Sequence, residues 1–108
     1  MFCLNYGLFP PDFIVELLSP KTAKHDRTIK LVDYAYHGIP EYWIVDPVKK
    51  RVEQYLLPNN KKAYLPAKIL NAGEDIASRA IKGFTINVGA IFEEAINIDE
   101  MKRLTTNQ

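Results

Sequence analysis

The hydrophobic pattern of the chain is most regular between residues 11 and 47, where it predicts a strand, a helix and a second strand. The first strand spans Asp12–Leu18, an almost continuous apolar run of the kind found in strands covered on both faces. The second strand, Glu41–Asp46, is also apolar and stops at Pro47. Two such strands joined by a helix form a βαβ unit, in which we expect parallel strands and a right-handed crossover.

The helix between these strands is predicted to begin near Ser19 and Pro20 or at Thr22, and to end at about His37, because Gly38 follows. One side of this helix carries apolar residues at three- and four-residue spacing, which we expect to face the core: Leu31, Val32, Ala35 and Tyr36. Another side carries polar residues at four-residue spacing: Asp26, Lys30 and Tyr34.

The rest of the pattern extends the sheet. It predicts strands at Val52–Leu57, Ala63–Leu70 and Phe84–Val88, and a short helix from Gly89 to about Ile96. We therefore expect an α/β (α+β) fold with a mixed sheet, in which an antiparallel extension follows the βαβ unit and helices flank the sheet. No repeat or linker divides the sequence, so residues 1–108 are expected to form one domain with residues 97–108 as a tail.

Composition indicates the class of protein and its cellular compartment but says little about its function. The chain is 47% hydrophobic and 25% charged, as in ordinary globular proteins, and its net charge of +1 neither requires nor excludes a polyanionic partner. Cys3 is the only cysteine, which rules out an internal disulfide and fits a reducing compartment. No apolar run approaches the length of a membrane span, and the opening residues lack the basic segment of a signal peptide. We expect a cytoplasmic protein with no membrane partner.

The chemical anomaly in the pattern is Glu16, a carboxylate inside the first apolar strand. A buried carboxylate needs a cation, a metal ion or a solvent-filled cleft beside it. With Lys30 on the adjoining helix it would suit phosphodiester hydrolysis, in which an acid holds a divalent ion and a lysine neutralises charge on the phosphate. Asp12 lies on the same strand, but four residues span about 13 Å, too far for both acids to bind one ion directly.

Three sequence strings support that chemistry: PDFIVELLSP, then D-x-x-x-K-x-x-x-Y in the helix, then GIPEYWIVDP. Together they resemble the Uma-type family of restriction-endonuclease-like proteins, part of the PD-(D/E)xK nuclease superfamily. The resemblance covers about residues 11–96 and includes the later strings GEDI and GFTINVGAIFE. It implies a mixed sheet flanked by helices and metal-dependent hydrolysis of DNA, with Mg²⁺ or Mn²⁺ as cofactor.

The resemblance also implies roles for individual residues. Glu16 corresponds to the metal-binding acid and Lys30 to the catalytic lysine, which stands on the helix because Leu18 occupies the superfamily's usual lysine position. Asp12, Asp26 and Tyr34 are further candidates. Family members are longer, and their N-terminal helix and strands supply an earlier Asp ligand. We therefore expect this chain to lack those elements and to be a truncated copy.

Simpler interpretations stay open for each feature. Glu16 and Lys30 can form a structural ion pair, and Lys30 can instead pair with Asp26 along the helix. The basic turns at residues 49–51 and 61–62 can be solvated loops or can contact phosphates. The chain as a whole can be a catalytically dead remnant that acts as a binding module and dimerises through an uncovered sheet.

Overall fold

The computed structural model describes residues 2–3 and 11–93, apart from the side chains of Phe2, Cys3 and Asp26. The strands are β1 (Phe2–Cys3), β2 (Phe13–Leu17), β3 (Glu41–Asp46), β4 (Arg51–Leu56), β5 (Lys68–Asn71), β6 (Asp75–Ala77) and β7 (Thr85–Asn87). The helices are α1 (Ala23–Arg27), α2 (Ile29–Tyr36) and α3, which occupies residues 88–93 up to the limit of the described part.

Strands β1 to β5 form one sheet in sequential order. β2 and β3 are parallel and are joined by α1 and α2, which confirms the predicted βαβ unit. β4 and β5 continue the sheet in antiparallel pairing, as predicted, and β1 pairs antiparallel with β2 at the other side. β6 and β7 form a separate two-stranded antiparallel sheet. The fold is therefore the mixed α+β class that the sequence indicates.

The crossover is two helices instead of the single one predicted. α1 ends at Arg27, and Thr28, with φ −125° and ψ −78°, separates it from α2. The Thr28 hydroxyl donates a hydrogen bond to the carbonyl of Lys24 one turn earlier, an interaction that bends helices. The end of α2 is close to the prediction, since Gly38 adopts a φ of +79° that closes the last turn.

The face that α2 turns to the sheet also differs from the prediction. Val32 and Tyr36, expected in the core, are 69% and 59% exposed, whereas Ala35 is buried. The polar side of the helix faces inward instead, because Lys30 and Tyr34 both contact the sheet. The buried polar groups of the sheet, as well as the apolar stripe, therefore determine which side of α2 faces the sheet.

Alternation along the strands divides the core between the two faces of the main sheet. The face covered by α1 and α2 buries Ile14, Leu18, Ile39, Tyr42, Ile44 and Tyr55. The opposite face, covered by β6, β7 and α3, buries Phe13, Trp43, Val45, Val52, Leu70, Ile76, Val88 and Phe92. Both faces of the central strands are thus covered, as the continuous apolar run of the first strand predicts.

The later strands differ in position from the predicted ones. β5 starts five residues after the start of the predicted strand at Ala63, and β6 is not among the predicted strands. The predicted end of the last helix and the tail at residues 97–108 lie outside the described residues. Within the described part of the chain, no helix has the length and apolar character needed to cross a membrane.

Candidate active site

Glu16 lies near the carboxyl end of β2 on the face covered by α2 and is 3% exposed. Its Oε2 accepts hydrogen bonds from Lys30 Nζ at 3.0 Å and from the Tyr42 hydroxyl at 3.1 Å. Its Oε1 accepts one from the Tyr34 hydroxyl at 2.7 Å. The structure therefore brings together three of the residues that the sequence singles out, Glu16, Lys30 and Tyr34.

Local sequence explains this convergence. Lys30 and Tyr34 are four residues apart on α2, so both side chains project from one face of that helix. Tyr42 stands on β3, whose parallel pairing with β2 places Ile44 directly beside Glu16. The rings of Tyr34 and Tyr42 meet edge to face, with centroids 5.1 Å apart, and enclose the carboxylate on its apolar side.

Of the other two candidates, Asp12 does not join this cluster. Asp12 is exposed and precedes β2, at the end of the strand away from Lys30, and no ion pair links it to the residues that the structure describes. The side chain of Asp26 lies outside the described part.

The donor set beside Glu16 does not complete a divalent-ion site. Among residues 2–3 and 11–93, the structure shows no group of three or more His, Cys, Asp or Glu side chains that could hold a metal ion. Mg²⁺ prefers about six oxygen ligands, commonly from one or two carboxylates with waters and phosphate oxygens. Glu16 supplies one carboxylate, and both of its oxygens already accept hydrogen bonds. The described residues therefore do not fit a bound ion by themselves.

A second ionic cluster lies on the same face of the sheet. Arg27, at the end of α1, donates from Nε to Glu53 Oε2 at 3.0 Å and contacts the same oxygen through Nη2. The same Nη2 lies 3.4 Å from Asp46 Oδ2. Glu53 pairs with Ile44 across β3 and β4, so Glu16 and Glu53 occupy one cross-strand row with a single strand between them.

The charges in this cluster support one another. Burial acts to raise the pKa of both Asp46 and Glu53, yet hydrogen bonds outweigh burial and hold both values below normal. For Asp46 the main donors are the backbone N–H groups of Lys49 and Val48, and for Glu53 the main donor is Arg27. The hydrogen bond to Glu53 in turn raises the pKa of Arg27. The cluster is therefore ionised at neutral pH and ties α1 to the carboxyl end of β3.

A fourth buried acid, Glu41, lies on the opposite face of the sheet and is completely buried. Its Oε2 accepts hydrogen bonds from Trp43 Nε1 at 2.7 Å and Gln54 Nε2 at 2.8 Å. Its Oε1 accepts three more, from the Ser78 hydroxyl and from the backbone N–H groups of residues 79 and 80. Neutral donors thus satisfy this carboxylate and attach the loop after β6 to the start of β3.

Sequence reasoning missed the last two clusters. The signal that identifies Glu16, an acid in an apolar strand, also marks Glu41, which is followed by the run Tyr-Trp-Ile-Val. It does not mark Glu53, which is buried in a strand that also carries Arg51 and Gln54. The partners are harder to find, because Tyr42 and Arg27 reach their acids only through strand pairing and through the position of α1. An acid in an apolar strand can be recognised from the sequence, whereas its partner depends on the topology.

Comparison with known proteins adds two findings. Residues 5–89 match the sequence profile of the Uma2 family, described as putative restriction endonuclease. Among solved structures, the chain is similar to a putative nuclease belonging to DUF820 from Anabaena variabilis ATCC 29413, with a TM-score of 0.63 and 19% identity. That likeness covers 80% of this chain and 46% of the other, so this chain spans about half the length of that protein. No curated protein matches.

Proposed function

Because this chain belongs to the Uma2 family of putative restriction endonucleases, we propose that it carries the glutamate–lysine part of a nuclease that hydrolyses DNA phosphodiester bonds. The observation that carries this proposal is the contact of 3.0 Å between Lys30 Nζ and Glu16 Oε2 at the carboxyl end of β2. In open α/β sheets, ligands bind outside the carboxyl ends of the parallel strands. The pair therefore stands where a substrate would approach.

The two side chains suit different tasks. The side chain of Glu16 is 4% exposed and is fixed by two tyrosine hydroxyls, so it can orient a neighbour without moving. The side chain of Lys30 is 35% exposed, so its ammonium group can reach a phosphate while staying near the carboxylate. A positioned cation stabilises the negative charge that develops on a phosphoryl group during hydrolysis. We propose that Lys30 has this role and that Glu16 positions it.

Dependence on Mg²⁺ or Mn²⁺ belongs to the same proposal and is supported by the family alone. Glu16 is the carboxylate that would hold such an ion, which would supply an activated water and neutralise phosphate charge. Since the described residues do not complete the ligand set, we route no catalytic step through the ion. The single cysteine supports a reducing, cytoplasmic setting for this activity.

The test is cleavage of supercoiled plasmid DNA with Mg²⁺ or Mn²⁺ present. We expect nicking by the wild-type chain and a loss of at least about a hundredfold in Glu16→Gln and in Lys30→Met, because removing one charge-stabilising group costs about that much. Lys61→Met removes an exposed lysine at the far end of β4 and should keep full activity. Cleavage that survives in both Glu16→Gln and Lys30→Met would refute the assignment.

A second candidate function is a binding module without catalysis. It is favoured by the environment of Glu16, whose two oxygens accept from one ammonium and two hydroxyl groups, as in a satisfied structural ion pair. This candidate expects wild-type protein that binds DNA and leaves it intact with either ion. It also expects Lys30→Met to lose stability because a buried carboxylate loses its cation.

A further inference from the structure

The basic residues of the chain are distributed differently in space than along the sequence. Lys49 and Lys50 form the turn between β3 and β4, at the carboxyl end of β3. Lys61 and Lys62 follow β4 and lie at the opposite edge of the sheet, about 20 Å away along a six-residue strand. These two basic turns therefore do not form one surface.

The fold instead places other lysines beside Lys49 and Lys50. β2 and β3 are parallel and remain paired as far as the bond from Leu18 N to the carbonyl of Val45, so the segment after β2 begins next to the end of β3. That segment carries Lys21 and Lys24, both exposed. The ion pair between Arg27 and Asp46 then joins the end of α1 to the residue that begins the next turn.

The geometry points to this basic edge, defined by Lys21, Lys24, Lys49 and Lys50, as a surface that binds the phosphate backbone of DNA. The inference rests on the proposed nuclease function, because the basic edge lies at the end of the sheet that holds Glu16 and Lys30. Within the described residues, none of its four lysine side chains pairs with a carboxylate. Because these lysines have no ion pair to break, they can bind phosphates at little cost in free energy, and the release of counterions from DNA favours binding.

The turn at the centre of the basic edge is held in place. Asp46 Oδ1 accepts hydrogen bonds of 3.0 Å from the backbone N–H groups of Val48 and Lys49. Lys50 has a φ of +50°, a left-handed conformation that asparagine or glycine adopts more readily than lysine. The chain therefore carries a lysine at a position where backbone preference favours another residue, which is consistent with use of its charge.

Arg51 adds a positive charge next to the basic edge. It begins β4, and its charge helps to lower the pKa of the nearby Glu53. Its Nε is buried and has no acceptor among the residues that the structure describes, so this atom is not open to a phosphate. The acids nearest in sequence to this end of β5, Glu74 and Asp75, each already accept a hydrogen bond, from Asn71 and Asn87 respectively.

The test measures DNA binding without catalysis. A short fluorescein-labelled duplex of arbitrary sequence is titrated by anisotropy in EDTA, with salt varied from about 50 to 200 mM. Binding by the wild-type chain should weaken as salt rises, and the four lysines of the basic edge should contribute up to about −3.6 to the log–log slope, since each phosphate contact contributes about 0.9. Absence of divalent ions keeps this result independent of whether the chain cleaves DNA.

The variant Lys21→Gln/Lys24→Gln/Lys49→Gln/Lys50→Asn removes the four charges, and the asparagine preserves the left-handed position at residue 50. We expect its affinity to fall at least about tenfold and its salt slope to become shallower by about 0.9 for each phosphate contact that is lost. The matched control removes four exposed lysines that lie away from the basic edge: Lys61→Gln/Lys62→Gln/Lys68→Gln/Lys82→Gln. The control should keep most of the wild-type affinity.

Three results would overturn the inference. The first is a loss of affinity in the control variant as large as that in the basic-edge variant. The second is no binding of the duplex by the wild-type chain at the lowest salt. The third is binding of poly-glutamate as tight as that of DNA, because equal affinity would identify a surface that binds any polyanion and not one for nucleic acid. Circular dichroism of both variants verifies that they are folded before the comparison is made.

Discussion

Replacing the fully buried Glu41 by glutamine tests the hydrogen bonds that join the start of β3 to the loop after β6. The substitution keeps the size of the side chain but exchanges one acceptor oxygen for an NH₂ group. Each oxygen of Glu41 accepts at least two hydrogen bonds, so the new amide nitrogen must face donors in either orientation. The variant therefore cannot satisfy every group that the carboxylate satisfies.

The magnitude follows from the donors on each side. An amide nitrogen at the Oε1 position would face two backbone N–H groups, those of Arg79 and Ala80. At the Oε2 position it would face the Trp43 indole and Gln54. Gln54 cannot simply flip, because its Nε2 also donates to the carbonyl of Ala77 at 2.9 Å. Two buried donors without acceptors, at about 1–3 kcal/mol each, give a loss of about 2–6 kcal/mol.

Urea unfolding followed by tryptophan fluorescence measures this loss directly, since Trp43 is the only tryptophan. Glu74→Gln is the matched control, because Glu74 is exposed and its side chain accepts from Asn71 alone among the described residues, so its loss should stay below about 1 kcal/mol. A loss below about 1 kcal/mol in Glu41→Gln, with an unchanged slope against urea, would refute the view that Glu41 holds the loop after β6 in place.

Two further substitutions probe the ionic clusters of the other face. Tyr42→Phe removes one hydroxyl donor to Glu16 while keeping the ring, and should cost about 1–2 kcal/mol in urea unfolding; no change would mean that the hydroxyl contributes nothing to holding the carboxylate. Arg27→Ala should cost about 2–3 kcal/mol at neutral pH, since it leaves Asp46 and Glu53 buried without their cation. The folded-state pKa of both acids is lowered, so their stabilisation is present above about pH 4–5 and is lost as the pH falls through the folded values. The difference between wild type and Arg27→Ala should therefore shrink on acidification, and a difference that stays constant down to pH 3 would contradict this account.

The sequence predicts elements where one physical signal dominates. The apolar run of β2, the apolar strand β3 and Gly38 after α2 fix the βαβ unit and its parallel pairing. The signal fails where two requirements compete. The apolar stripe of α2 predicts that Val32 faces the core, but the helix turns Lys30 inward because Glu16 needs a cation. Hydrophobic periodicity describes average burial and does not include the demand of a single buried charge.

The candidate site shows the same division. The position of Glu16 in an apolar strand suffices to predict a buried acid with a partner, and the helical spacing suffices to propose Lys30 and Tyr34. The contact with Tyr42 could not be predicted, because it depends on the register between β2 and β3. Residue patterns therefore identify the acid and its neighbours along one helix, whereas contacts between strands require the pairing itself.

The three buried glutamates of the main sheet differ in the partners that satisfy them. This difference distinguishes clusters suited to stabilise the sheet from a cluster suited to act on a substrate. Glu41 has neutral donors throughout, and Glu53 has a guanidinium group that binds it through two nitrogen atoms. Such multiply bonded partners hold one geometry and exchange slowly for a ligand. Only Glu16 is paired with an ammonium group, a compact charge on a flexible chain that can turn toward a phosphate without breaking the tyrosine contacts. On physical grounds, then, the glutamate–lysine pair is the one of the three clusters suited to work on a substrate, and the other two are suited to hold the sheet that presents it.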